Sequence, residues 1–169
     1  REIGPATPRL RLRDAPDSRA LCALAQRLGW KLVNTEEAAA FPNAFDDWTA
    51  AIVKTHNYGR DFAALQKLMP RGLRYVALLG PRRRRDQLLH ALADAGVPSR
   101  SELFAPAGLA IGAESPEQIA LAMITEIQSV FAKASSESLR ERKAPIHLPV
   151  ARASSLHDSF LSGQQKPES

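Results

Sequence analysis

Hydrophobic positions along the chain change period several times, and the changes mark out its elements. Leu10 and Leu12 alternate with arginines, the pattern of a short strand. From Asp17 to Leu28 the period lengthens: Leu21, Leu24, Ala25 and Leu28 share one helical face, and Gly29 supplies a stop. Trp30 to Val33 predicts a second strand, followed by a polar, acidic loop. Ala51, Ile52 and Val53 predict a third strand, ending near Thr55. Asp61 to Met69 predicts a helix with Phe62, Leu65, Leu68 and Met69 as its apolar stripe, closed by Pro70. Leu73 to Leu79 is the clearest strand. It is apolar without a break from Tyr75 on, as in a strand covered on both faces of a parallel sheet. Beyond Gly80 and Pro81, Arg82 to Ala95 predicts a helix with Leu88, Leu89 and Leu92 facing inward. Residues 96–113 carry Pro98, Pro106, Gly108 and Gly112 and read as loop. Ser115-Pro116-Glu117-Gln118 then forms a capping box with proline at the first helical position. The helix that follows sets Ile119, Met123, Ile124, Ile127, Val130 and Phe131 against a core.

Strands alternating with helices in this way predict the α/β class: a Rossmann-like open parallel sheet flanked by helices. Residues 1–8 form a lead-in, residues 9–133 the domain, and residues 134–169 a disordered tail. Within the tail, Pro145 to Val150 is a candidate docking motif.

At 169 residues the chain has room for one ordinary domain. A single cysteine, Cys22, excludes a disulfide framework or a cysteine-rich zinc site and suits a reducing compartment, the cytoplasm. No apolar run approaches the roughly 20 residues of a membrane span. The net charge of +5 lies mostly within residues 1–133, where 18 Lys and Arg face 14 Asp and Glu. Its densest point is Arg82, Arg83, Arg84 and Arg85, which calls for an anionic partner. Nucleic acid is a minor option, because no base-stacking aromatics accompany the arginines.

Ligands of open parallel sheets bind beyond the carboxyl ends of the strands. The first such loop, Arg13 to Ser18, contains no glycine, so backbone amides lack the close approach that a pyrophosphate needs. The acidic residue that would hold a ribose is also missing, since Asn34 follows Val33 and Glu36 and Glu37 fall past the strand. A conventionally bound NAD is therefore not expected. In the second loop, His56 can donate to a ligand or shuttle a proton, or merely cap the loop. In the third, arginines in a first helical turn oppose the helix dipole, a penalty that a bound anion reverses. Arg82 and Arg83, nearest Gly80, are assigned to that pocket, and Arg84 and Arg85 to the surface. His90, His147 and His157 show no metal-ligand spacing.

The segments Thr55 to Leu65, Arg74 to Leu89 and Ala105 to Ile127 resemble, in order and spacing, the C-terminal Rossmann-like domain of the xanthine dehydrogenase accessory (XdhC/CoxI) family. The resemblance runs from about residue 9 to residue 132. It implies a maturation factor rather than an enzyme, one that binds molybdenum cofactor (molybdopterin) as cargo and delivers it to a molybdenum hydroxylase apoenzyme. A cysteine desulfurase and a second copy of the chain are further implied partners. Position by position, it implicates His56, Asn57, Gly80, Arg82, Arg83, Gly108 and Gly112 in holding the cofactor. The family's domain normally follows an N-terminal segment; this sequence lacks a match to it and is compatible with a fragment of a longer protein. The family's glycine-rich first turn reads Arg13-Asp14-Ala15 in this chain, and its usual serine is Pro81. Its His-Ala-Pro reads Phe104-Ala105-Pro106, and the acid of its Leu-Asp-Ile-Gly is Ala110. The alternatives are a divergent paralogue that acts as a protein-interaction scaffold, and an oxidoreductase with an unusual nucleotide site.

Overall fold

The computed structural model describes residues 9–12, 19–34, 38, 41, 44–141 and 143. Five strands, β1 (Arg9–Leu12), β2 (Lys31–Asn34), β3 (Thr49–Val53), β4 (Tyr75–Leu78) and β5 (Leu103–Phe104), form one sheet in the order β2-β1-β3-β4-β5. Every pairing is parallel, with Leu10 beside Leu32 and Ala50, and Ile52 beside Ala77. Helices α1 (Arg19–Arg27), α2 (Tyr58–Leu68), α3 (Arg82–Asp94) and α4 (Pro116–Ala132) connect or follow the strands.

Successive side chains of a strand point to opposite faces, so one apolar run fills two cores. Ala50, Ile52, Tyr75 and Ala77 pack with Leu21 and Ala25 of α1 and with Met123, Ile127 and Phe131 of α4. Ala51, Val53, Val76 and Leu78 pack with Leu65 and Leu68 of α2 and with Leu88 and Leu92 of α3. The sheet is thus covered on both faces, and β4 is buried along its whole length.

Helix ends follow local chemistry. Ser115 accepts from the Gln118 amide while the Gln118 side chain accepts from the Ser115 amide, the reciprocal cap read from the sequence. Helix α2 begins at Tyr58 rather than Asp61, because Asn57 adopts an extended conformation and accepts from the Arg60 amide at 3.0 Å. The predicted loop at 96–113 contains a fifth strand, whose two residues fall below the length that periodicity detects. Leu28, Leu89 and Ile119, predicted to face inward, are exposed, while Ala120 and Ala122 take the inner positions of α4.

The chain divides into two units, Arg1–Ser136 and Glu137–Ser169. Expectations for residues 1–8, for the loop 13–18, for Glu36 and Glu37, for the motif 145–150 and for the tail from 144 on lie outside the described residues. Among the described residues no helix is long and apolar enough to cross a membrane.

Candidate functional site

The chain leaves β1 toward β2 on one side and β3 toward β4 on the other, so the direction of winding reverses between β1 and β3. A crevice opens at the carboxyl ends of the strands at such a reversal, which makes the loops after β3 and β4 the place to look for chemistry.

Lys54 follows β3 directly and is buried, with 8% exposure. By alternation it shares the α1 and α4 face with Ala50 and Ile52. Sequence reasoning passed over it, because a lysine beside a turn is ordinarily solvated. The chain then turns at His56, which is exposed and has a left-handed backbone (φ 54°). That conformation is uncommon outside glycine and costs of order 1 kcal/mol or more. Two side chains hold the turn. The Thr55 hydroxyl accepts from the Asn57 amide at 3.1 Å, and Asn57 caps α2.

After β4, the Leu79 amide donates to the Val53 carbonyl at 3.0 Å, and Gly80 leads into α3. A Cβ at Gly80 would stand 3.3 Å from Cδ of Arg84, so the glycine lets that side chain lie across the strand end. Pro81 caps α3 without a side-chain hydrogen bond, and no acidic residue occupies the first turn.

The four arginines divide differently from expectation. Arg82 and Arg83 are exposed, while Arg84 and Arg85 are half-buried and bonded to the protein. Helix phase is the reason: Arg84 and Arg85 lie one turn before Leu88, on the stripe facing the sheet. Arg84 Nη2 meets Asp61 Oδ2 at 2.5 Å. Asp61 is fully buried, and its Oδ1 accepts from the Thr55 hydroxyl at 2.5 Å. Arg84 Nε is enclosed without an acceptor. Arg85 donates to the Ala105 carbonyl at 2.8 Å and pairs with Asp86.

The structure therefore brings His56, Asn57, Gly80, Arg82 and Arg83 to the ends of two neighbouring strands. Gly108 and Gly112 follow β5 instead. The Gly108 amide donates to Glu126 of α4 at 2.8 Å, and the Leu109 amide donates to the Ala122 carbonyl at 3.3 Å, so this loop runs back along α4. Gly112 lies exposed further along it. The same Glu126 oxygen accepts from the Tyr75 hydroxyl at 2.7 Å. Burial, and then the carboxylate partner, push the Tyr75 phenol far above its ordinary pKa.

An open groove of about 930 Å³ runs along the outer flank of α3, lined by Tyr58, Arg83, Gln87, His90 and Asp94 among others. It meets the strand ends at Tyr58 and Arg83 but otherwise follows α3 away from Gly80, and topology favours the strand ends as the binding crevice. Among the described residues no group of three or more His, Cys, Asp or Glu is placed to hold a metal ion.

A sequence model of the XdhC Rossmann domain matches residues 14–127, a span that contains every strand end just described. The chain belongs to the XdhC family. It is 33% identical over 143 residues to a Bacillus subtilis (strain 168) protein named as a probable xanthine dehydrogenase subunit, covering 71% of this chain and 42% of the relative. It is 36% identical over 81 residues to the uncharacterized protein YqeB of Escherichia coli (strain K12), covering 47% of this chain and 15% of that one. A crystal structure described as a xanthine dehydrogenase from Bacillus halodurans superposes with a TM-score of 0.63 at 22% identity, over 75% of this chain and 45% of the other. At that identity the likeness speaks for the fold. The chain thus spans less than half the length of these relatives.

Proposed function

We propose that this XdhC-family chain is an accessory factor of a xanthine-dehydrogenase-type molybdenum hydroxylase. It binds molybdenum cofactor as cargo at the carboxyl ends of β3 and β4 and hands it to the apoenzyme in the cytoplasm, without catalysing a reaction of its own. The observation that carries this proposal is the family match from residue 14 to residue 127. The name of the Bacillus subtilis relative, a probable xanthine dehydrogenase subunit, supports it further.

The residues present fit an anionic cargo. The first turn of α3 has no side-chain cap and no acid. The Arg84 and Arg85 amides donate to the Pro81 carbonyl, which leaves the Arg82 and Arg83 amides without an acceptor inside the helix, on two exposed arginines. A phosphate there meets free N–H groups, the positive end of the dipole and guanidinium forks together. His56 stands on the adjacent strand end, where it can bond the pterin.

Titration of the full chain with molybdopterin, followed by pterin fluorescence with NADH as a control, tests this role. The expected result is saturable molybdopterin binding with none for NADH. Arg82→Ala combined with Arg83→Ala should weaken it by about ten-fold or more, as loss of charge-assisted hydrogen bonds does, without lowering thermal stability. A folded wild-type chain that binds no molybdopterin would overturn cargo binding and leave a role through protein contacts.

A further inference from the structure

Three loops at the carboxyl edge of the sheet are tied to one another by side chains. Asp61 stands at the centre of this stitching. Its carboxylate is fully buried, with one oxygen on the Thr55 hydroxyl and the other on the Arg84 guanidinium, both at 2.5 Å. Thr55 precedes His56 in the turn after β3, and Arg84 stands in the first turn of the helix after β4. One carboxylate therefore spans the two loops that carry His56, Arg82 and Arg83. Arg85 extends the chain of contacts to the third loop through the Ala105 carbonyl at 2.8 Å.

Stability alone is a poor reason for this arrangement. A buried ion pair recovers its desolvation cost only when its remaining donors are satisfied, and an apolar pair of similar volume is commonly as stable or more so. Here Arg84 Nε is enclosed without an acceptor, the sole such side-chain atom among the described residues. The neighbouring His56 holds a left-handed backbone, a second local cost at the same place. Departures from local optimality that cluster on one site are the mark of a geometry kept for function.

We propose that Asp61 is the positioning residue of the strand-end site. It acts through Thr55 and Arg84 to lock the loops after β3 and β4 into one rigid rim, so that His56 and the start of α3 meet the cargo in fixed register. The ligand half of this inference rests on the molybdopterin-binding function proposed above; the loop coupling does not.

The test uses the full chain and three forms: Asp61→Asn, Arg84→Met, and the double apolar replacement Asp61→Leu with Arg84→Met. Native-state exchange of the hydrogen-bonded amides in the two segments, Asn57 after β3 and Arg84 after β4, is read beside molybdopterin affinity and thermal midpoint. Asp61→Asn should speed exchange in both segments together by about ten-fold or more, the consequence of losing one charge-assisted hydrogen bond. It should weaken molybdopterin binding by a similar factor. The double replacement should recover the midpoint but neither the slow exchange nor the affinity. Unchanged exchange in Asp61→Asn would overturn the proposal, and so would a double replacement that restores loop protection along with the midpoint. If the wild-type chain binds no molybdopterin, the cargo assignment falls while exchange still decides the coupling.

Discussion

At the scale of single residues, several side chains and glycines have occupations of their own. Asn57 caps α2, Gly80 leaves room for Arg84, and Gly108 lets a loop lie against α4. Gly108 has φ 106°, and a Cβ there would stand 3.2 Å from Cβ of Ala122 and 3.4 Å from the Met123 amide nitrogen. These atoms are the backbone of α4 and the Cβ of a helical alanine, which cannot yield easily. Gly108→Ala is therefore expected to destabilise the domain by about 1–3 kcal/mol, read as a lower urea midpoint at unchanged slope. Arg84 and Arg85 teach a related point. Proximity along the chain to Gly80 assigned Arg82 and Arg83 to the pocket and Arg84 and Arg85 to the surface, yet helix phase relative to Leu88 and Leu92 turns the second pair inward. Helix phase likewise places Asp61 on the buried stripe of α2 with Ala64, Leu65 and Leu68, whereas the sequence pattern sets it at the helix start and leaves it out of the stripe.

At the scale of elements, the ends obey short-range chemistry and the middles obey burial. Helix α4 starts where Ser115 and Gln118 exchange hydrogen bonds, at 3.2 Å and 3.0 Å. Ser115→Ala removes one acceptor and leaves an amide of the first turn unbonded. The expected loss is about 1 kcal/mol, seen as a lower thermal midpoint, with Ser115→Asp retaining most of the stability. Strand β5 shows the limit of such reasoning. Leu103 and Phe104 pair with Val76 and Ala77 because the neighbouring strand offers an open edge, and no periodicity in two residues announces it. The stacking of Phe104 on Tyr75, with ring centroids 4.4 Å apart, then fixes it in place.

At the scale of the whole molecule, Glu126 joins the sheet to the helix layer. It receives the Tyr75 hydroxyl from β4 and the Gly108 amide from the loop after β5 on a single oxygen. This contact makes folding stability depend on pH at the alkaline end. The folded-state pKa of Tyr75 is raised above its ordinary value of 10.0, so its contribution is complete below that value. As pH climbs past about 10, the unfolded chain releases the phenolic proton while the folded chain keeps it, and stability falls. Urea unfolding at pH 8 and pH 11 should show this loss, and Tyr75→Phe should reduce it. At pH 8 the same variant is expected to cost about 1 kcal/mol for the missing hydrogen bond.

Sequence alone determined the order of the major strands and helices, the apolar run of β4, the cap of α4 and the family, since each is written in local spacing or in contiguous motifs. It also pointed to the loops after β3 and β4, because a parallel sheet has its openings at strand ends. Only the tertiary structure decided which arginines turn inward, that Asp61 bridges two loops, and that Gly108 serves the packing of α4. Those facts depend on partners 6, 23 and 18 residues away in the chain. The pairing of a buried charge is set by what the folded core brings beside it, and a one-dimensional pattern records the charge without its partner.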